Sequence, residues 1–594
     1  MKQSAPFPLR RVFRSLLGLV LLELCQVATA QAQDVPQPLL QDLVSEDWWV
    51  RERAAAAIGK LEETGAPAVA KIVPLMADTH PRVRYAAIIA LSRIGGIQPD
   101  LVSDDMLNTV VDALGDSETR KAAVWALSRL GDRALPTLID VLQHESADRV
   151  TGAAEALSSM GVDAAPASQA LTQALGHEDP AVRLAAVEAL GAIGELTEPA
   201  VSTLCRSLRD DEKLTVRAAS AAALGAGGTR FELAVDALCR ALSEDDSSQV
   251  RASAARSLGS AVAFAGGEPL SRLLESLEDE DVSVRLAAAD ALAEWAQSLR
   301  LLGWPSWDSA TQVTDALLRR AANDADEFVR RASLRALPAL VQLHGDDTEP
   351  LPFAVKDGLA AALEHEHWST REAACLTAME LGGATGSLSP KLVEKLRDAH
   401  LHVREAAASA LETMPDRPTA LILDVARDAG QEKSEPGKQP AGLLAIRVLL
   451  RTSSFEIKTT PNASDLVPAL RLALRDPFDP ETRGRAARCL GDLGAAETLT
   501  DLAEALGDDA AAVRVSIVDA LGCLGTSAEL AAPRLVELLV GDREPRVREA
   551  AARTLARIGQ PSEKVLEALE RARKDEDEGV REAAIEALEA LSRR

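Results

Sequence analysis

One short pattern recurs along this chain and restricts the fold more than any other feature. Asp179-Pro180-Ala181-Val182-Arg183 is followed by Ala186, Ala189, Leu190, Ile193 and Gly194. Counted from Val182, the apolar residues fall at i, i+4, i+7, i+8 and i+11. That is one face of an α-helix, and the glycine ends it. The register repeats after Arg84, with Ala87, Ala90, Leu91, Ile94 and Gly95, and after Arg120, with Ala123, Ala126, Leu127, Leu130 and Gly131. It repeats again after Arg514, with Ile517, Ala520, Leu521, Leu524 and Gly525, and after Arg548, with Ala551, Leu555, Ile558 and Gly559.

The arginine slot is filled by Arg51, Arg84, Arg120, Arg183, Arg217, Arg251, Arg285, Arg330, Arg371, Arg404, Arg483, Arg514, Arg548 and Arg581. Thr151 takes it once, and Gly442 takes it in the most degenerate unit, so about sixteen units follow, most at intervals of 31 to 36 residues. Pro136 precedes the apolar run Thr137–Leu142, and Pro67, Pro166, Pro199, Pro269, Pro533 and Pro561 hold the same place elsewhere. Proline suits the first turn of a helix. Each unit therefore reads as a first helix, a short acidic turn, a second helix and a glycine turn. Neither helix can bury its apolar stripe alone, so neighbouring units must stack. Aromatic residues are only 3% of the chain, and the many alanines suit close helix packing.

The pattern D-x-x-V-R-x-x-A-x-x-A-L-x-x-I-G resembles the short HEAT-like repeat of the phycobilisome-lyase type, over roughly residues 36–594. The resemblance implies an all-α solenoid used for protein binding and assembly. It also implies that the repeated arginines and aspartates bond between neighbours as a ladder. Asp47, Asp116, Asp179, Asp281, Asp326 and Asp577 stand four residues before the slot, where a carboxylate caps the second helix. Arg84, Arg120, Arg183, Arg285, Arg514, Arg548, Asp116, Asp179 and Asp281 are accordingly expected to be structural.

Residues 1–33 read as a secretory signal peptide. Lys2, Arg10, Arg11 and Arg14 precede an apolar run over Ser15–Leu24, and Ala28-Thr29-Ala30 offers small residues for cleavage. The expected organisation continues with a repeat array over 34–411, an irregular stretch and candidate hinge over 412–482, and a second array over 483–594. The mature protein is expected to be exported, periplasmic or extracellular. No later run of eighteen apolar residues suggests a membrane span. The signal carries four positive charges and Glu23, so its removal takes the formal net charge from −26 to −29. That balance opposes binding to nucleic acid and to anionic membranes. Cys205 and Cys239 stand 34 residues apart at equivalent positions. Stacked helices lie about 8–10 Å apart, beyond the roughly 7 Å a disulfide spans, so free thiols are expected.

Candidate sites lie where the regularity breaks. Trp304 and Trp307 occupy the long interval between Arg285 and Arg330, as a binding hot spot or as a flap packed on the next repeat. His365, His367, His400 and His402 cluster on one rim, as a metal site or as solvated turn residues. HEAT-like di-iron hydroxylases carry His-Glu pairs just after the slot. Here His144-Glu145, His177-Glu178 and His365-Glu366 precede it, which argues against that chemistry. Acidic clusters at Asp210–Glu212, Glu244–Asp246, Glu278–Asp281 and Asp575–Glu578 read either as helix caps or as a rim that attracts a basic partner or Ca²⁺. There is no nucleophile elbow, zincin motif or phosphate-binding loop. The sequence thus points to a non-enzymatic scaffold with protein partners and no cofactor. The alternatives are an enzyme or enzyme subunit of the HEAT-like lyase type, or a metal-binding repeat protein.

Overall fold

The structure is a computed structural model that describes residues 35–593, apart from 97–101, 262–266, 303–306, 343–350, 416–417, 429–439, 452–455 and 560. The described residues form helices and turns, with no strand among them. Two compact units divide the chain between Trp295 and Ala296, within the helix Val282–Leu302.

In each unit the chain alternates between a first and a second helix, and every slot residue falls in a second helix. Examples in the first unit are Pro81–Gly95, Arg120–Leu130 and Pro180–Ile193; in the second they are Pro480–Leu493, Ala511–Leu524 and Pro545–Ile558. Second helices such as Pro180–Ile193 and Ala511–Leu524 pack on their own first helix and on the second helices before and after them, which is the connectivity of an α-solenoid. The apolar stripe of Pro180–Ile193 makes those contacts: Val182, Ala186, Ala189, Leu190 and Ile193 are all buried. Pro136, Pro199, Pro269 and Pro533 sit in the first turn of a first helix, as their missing N–H donor requires. Pro67 and Pro166 lie instead in 3₁₀ turns that lead into that helix. Gly194 and Gly559 stop their helices at positive φ, 77° and 78°.

Successive second helices approach each other closely at a recurrent glycine. Eight residues after the slot, Gly59, Gly259 and Gly491 face the residue six after the next slot. A Cβ on them would lie 2.7, 2.6 and 2.6 Å from the Cα of Ala90, Ala291 and Ala520. Where a hydroxyl takes the facing place it bonds across the interface: Ser257 Oγ donates to Ala221 O at 2.8 Å, and Thr554 Oγ1 to Val518 O at 3.1 Å.

The irregular stretch 412–482 lies in the second unit. Its described residues include the paired helices Thr419–Arg427 and Ala441–Leu450, the latter packed on Val467–Ala473. Ala511–Gly541 is long and apolar enough by composition to cross a bilayer. It is folded as two helices, Ala511–Leu524 and Ala532–Gly541, joined by a 3₁₀ turn, with Ile517, Leu521, Leu535 and Leu539 buried among their neighbours.

Candidate functional site

The charged residues of the turns build a ladder. Arg183 Nη1 donates to the carbonyls of His177 and Glu178 at 2.9 and 2.8 Å, stapling its own inter-helix turn. Its Nε and Nη2 reach Asp211 of the next repeat at 2.7 and 2.9 Å. Asp211 also accepts from Lys213 N, and its carbonyl accepts from Arg217, which carries the pattern on to Asp245 and then through Arg251 to Asp279. Arg285 Nη1 donates in the same way to the carbonyls of Asp279 and Glu280. In the second unit Arg483, Arg514 and Arg548 pair with Asp508, Asp542 and Asp575. Arg51–Asp78, Arg84–Asp116, Arg120–Asp148 and Arg371–Asp398 are further rungs.

The ladder acceptor is, in most rungs, the aspartate six residues before the slot; the sequence pattern points to the one four before. The reason is geometric. Four before, the residue is the N-cap, and its carboxylate turns onto its own helix: Asp179 accepts from Ala181 N at 2.8 Å, and Asp281 from Ser283 N at 2.8 Å. Two residues earlier the carboxylate faces the preceding repeat. Before Arg120 the N-cap is Thr119 instead, and Asp116 accepts from Glu118 N in the turn at 3.0 Å and from Arg84 of the preceding repeat at 2.7 Å. Asp47 makes no side-chain cap. The acidic clusters of the sequence therefore contain the rungs Asp211, Asp245, Asp279 and Asp575.

The environment fixes these charges. Burial pushes the Asp211 and Asp542 carboxyls up, but the Arg183 and Arg514 guanidiniums and a backbone N–H on each outweigh it, and both titrate below the ordinary aspartate value. The Arg51 guanidinium does the same for Asp78. The ladder changes character in places. Thr151 offers no guanidinium. Arg330 Nε donates to Thr370 Oγ1 at 2.8 Å instead of to a carboxylate. Arg451 bridges Glu412 and Asp479.

The histidine rim is assembled by stacking. The rings of Trp368 and His400 lie 3.9 Å apart and 7° from parallel, with His402 edge-on to both. His365 Nδ1 accepts from His367 N at 3.0 Å, and His367 Nδ1 lies 2.7 Å from Ser369 Oγ. The same Trp-on-His contact joins Trp48 to His80, centroids 3.8 Å apart. A tryptophan at the first position of one second helix thus stacks on the histidine N-cap of the next. Among the described residues no group of three or more His, Cys, Asp or Glu side chains is placed to hold a metal ion. Trp304 lies outside the described residues, as does the side chain of Trp307, whose backbone starts the helix Trp307–Asn323.

The cysteines Cys205, Cys239, Cys375, Cys489 and Cys523 are free. Burial pushes the thiols of Cys239, Cys375 and Cys489 up to about 11, 12 and 12, which keeps them protonated and poor nucleophiles.

The HEAT-repeat family profile matches residues 35–104, 99–158, 153–225, 235–338, 451–522, 467–539 and 512–589. The stalled ribosome sensor GCN1 of Mus musculus is 25% identical over 366 residues, covering 50% of this chain and 13% of that protein. Its Homo sapiens counterpart is 26% identical over the same length and coverage. The chain thus spans a small fraction of the length of these relatives. Among solved structures, the fold is similar to Kap95 in the Kap95:Nup1 complex, with TM-score 0.55, 15% identity, and 97% and 85% of the two chains covered. It is also similar to Kap95p bound to RanGDP, with TM-score 0.53, 14% identity and 94% and 84% covered. Yeast importin-β gives TM-score 0.50 at 15% identity, with 93% and 80% covered. At such identities the structural likeness is one of fold. The repeated slot, the stacked helix pairs and the family match together place this chain in the HEAT-repeat family.

Proposed function

We propose that the chain is an exported, non-enzymatic scaffold that binds one or more proteins along the exposed faces of its helices. The observation that carries this reading is where the reactive-looking side chains go. Most of the recurrent arginines are consumed by rungs to an aspartate of the next repeat, the candidate histidines His400 and His402 pack against Trp368, and three thiols are held protonated by burial. What is left for recognition is the patterned outer surface of successive helices. The fold likeness supports the same reading, because Kap95 is solved in complex with Nup1 and with RanGDP. Export rests on the basic start, apolar run and small-residue pair of residues 1–33. The test is capture of partners by the tagged full chain from the exported fraction of its source, with cross-links mapped onto it. Cross-links from a co-purifying protein to the exposed helix faces support the scaffold. A full chain that captures no protein at low salt, or that turns over a substrate unaided, overturns it.

A further inference from the structure

The first three second helices, Trp48–Gly59, Pro81–Gly95 and Arg120–Leu130, carry a surface found nowhere else among the described second helices. Three of the chain's seven tryptophans and its one tyrosine, Trp48, Trp49, Trp125 and Tyr85, lie within these three helices. Trp49 and Tyr85 are 50% and 43% exposed, which is costly unless something covers them. Each tryptophan carries a guanidinium. Arg53 lies over Trp49 at 5.7 Å and Arg82 over Trp48 at 5.8 Å, while Trp125 receives both Arg93 from the preceding helix at 5.9 Å and Arg129 at 5.2 Å.

These arginines differ from the ladder arginines in one decisive respect. Among the described residues, no salt bridge involves Arg53, Arg82, Arg93 or Arg129, although the chain as a whole is strongly acidic. A guanidinium held over an indole face without a carboxylate of its own keeps N–H donors for one from a partner. The surface stops abruptly: the next second helix, Ala147–Met160, offers Glu155 and Ser159 on its open side, and Pro180–Ile193 offers Glu188 and Ala192. Glu52 is the one acidic residue within the three helices, with Glu46 and Asp47 just before the first of them.

We propose that this patch binds an acidic segment of a partner protein, with carboxylates on the stacked arginines and intervening apolar side chains on Trp49, Tyr85 and Trp125. Second helices about 10 Å apart give a track of roughly 20 Å over three helices, the span of about six extended residues. The inference rests on the scaffold reading above and specifies where and by what chemistry one partner docks.

The experiment measures anisotropy of a fluorescein-labelled synthetic peptide alternating Glu with Tyr and Leu, titrated with the full chain. The same peptide with Lys for Glu and an oligothymidylate serve as competitors of other chemistry. The Glu peptide should bind and weaken with added salt, and the R93E/R129E double variant should bind it at least about tenfold more weakly, because two attractive contacts become repulsive. R546E, an exposed arginine of the second unit, should leave binding unchanged. If R93E/R129E alters the helical circular dichroism, R93Q/R129Q carries the test. Equal binding of the Glu and Lys peptides, preference for oligothymidylate, or unaltered binding by the folded variant overturns the proposal. Should R93E/R129E keep every cross-linked partner of the parent chain, this site falls while the scaffold reading stands.

Discussion

Replacing Asp542 with alanine tests the ladder where its geometry is cleanest. Asp542 accepts from Arg514 Nε and Nη2, both at 2.8 Å, and from Glu544 N at 2.9 Å. The two side chains are 5% and 14% exposed. The substitution removes three hydrogen bonds and leaves two guanidinium nitrogens facing a void. Arg514 Nη1 keeps the carbonyls of Asp508 and Asp509. Removing one partner of a buried ion pair costs about 3–5 kcal/mol; the retained carbonyl bonds put this site near the lower end, about 3 kcal/mol. In a stack where each unit touches only its neighbours, that cost falls on one interface, between Ala511–Leu524 and Pro545–Ile558. Hydrogen exchange should therefore accelerate about a hundredfold in Pro545–Ile558, Glu563–Ala572 and Glu578–Ser592, since each 1.4 kcal/mol is tenfold. Helices of residues 35–261 should keep their protection. The R514A/D542A double variant should be less damaged than D542A, because no charge is then buried alone. Unchanged exchange over 545–592, or equal loosening throughout the chain, would refute the nearest-neighbour ladder.

Gly491→Val drives a side chain into the Ala520 backbone, where even a Cβ would stand 2.6 Å from Cα; a loss of about 1–3 kcal/mol is expected in urea unfolding, and an unchanged midpoint would show that the close crossing is not needed. Folding holds Asp542 below its ordinary value of 3.8, so its contribution is complete above that value and disappears as pH falls through the depressed one. The stability gap between parent and D542A should accordingly be constant from pH 7 to about 5 and close below about 4; a gap that widens on acidification would have the wrong sign. Of the five free cysteines among the described residues, only Cys523 is exposed, so iodoacetamide should label it first in the native protein, and mass spectrometry showing Cys239 or Cys375 labelled ahead of it would contradict their burial.

The fold was legible in the sequence because a HEAT-like unit repeats its constraints: Val182, Ala186, Ala189, Leu190 and Ile193 mark one helical face, and the same face recurs with the slot. The ladder was half legible. The arginine end is a fixed position, but the sequence offers aspartates both four and six residues before it, and only the path of the turn decides which carboxylate faces the preceding repeat. Gly59, Gly259 and Gly491 share a register position that marks the close crossing, a signal present in the sequence but readable only once successive second helices are known to touch. The Trp48–His80 and Trp368–His400 stacks join residues 32 apart in sequence, so neither local spacing nor composition reveals them. The stacked arginines of the first three second helices were likewise hidden, because an arginine nine residues after the slot looks like any solvated charge until Trp125 is found beneath it.

The most direct test of the stacked-neighbour account is removal of residues 545–594, the last two second helices and the first helix between them, followed by hydrogen exchange on what is left. The account predicts that new exchange is confined to Ala511–Gly541, which loses its outer neighbour, while Pro480–Leu493 and every earlier helix keep their protection. Loss of protection reaching back through residues 35–473 would show a single cooperative globule and contradict it.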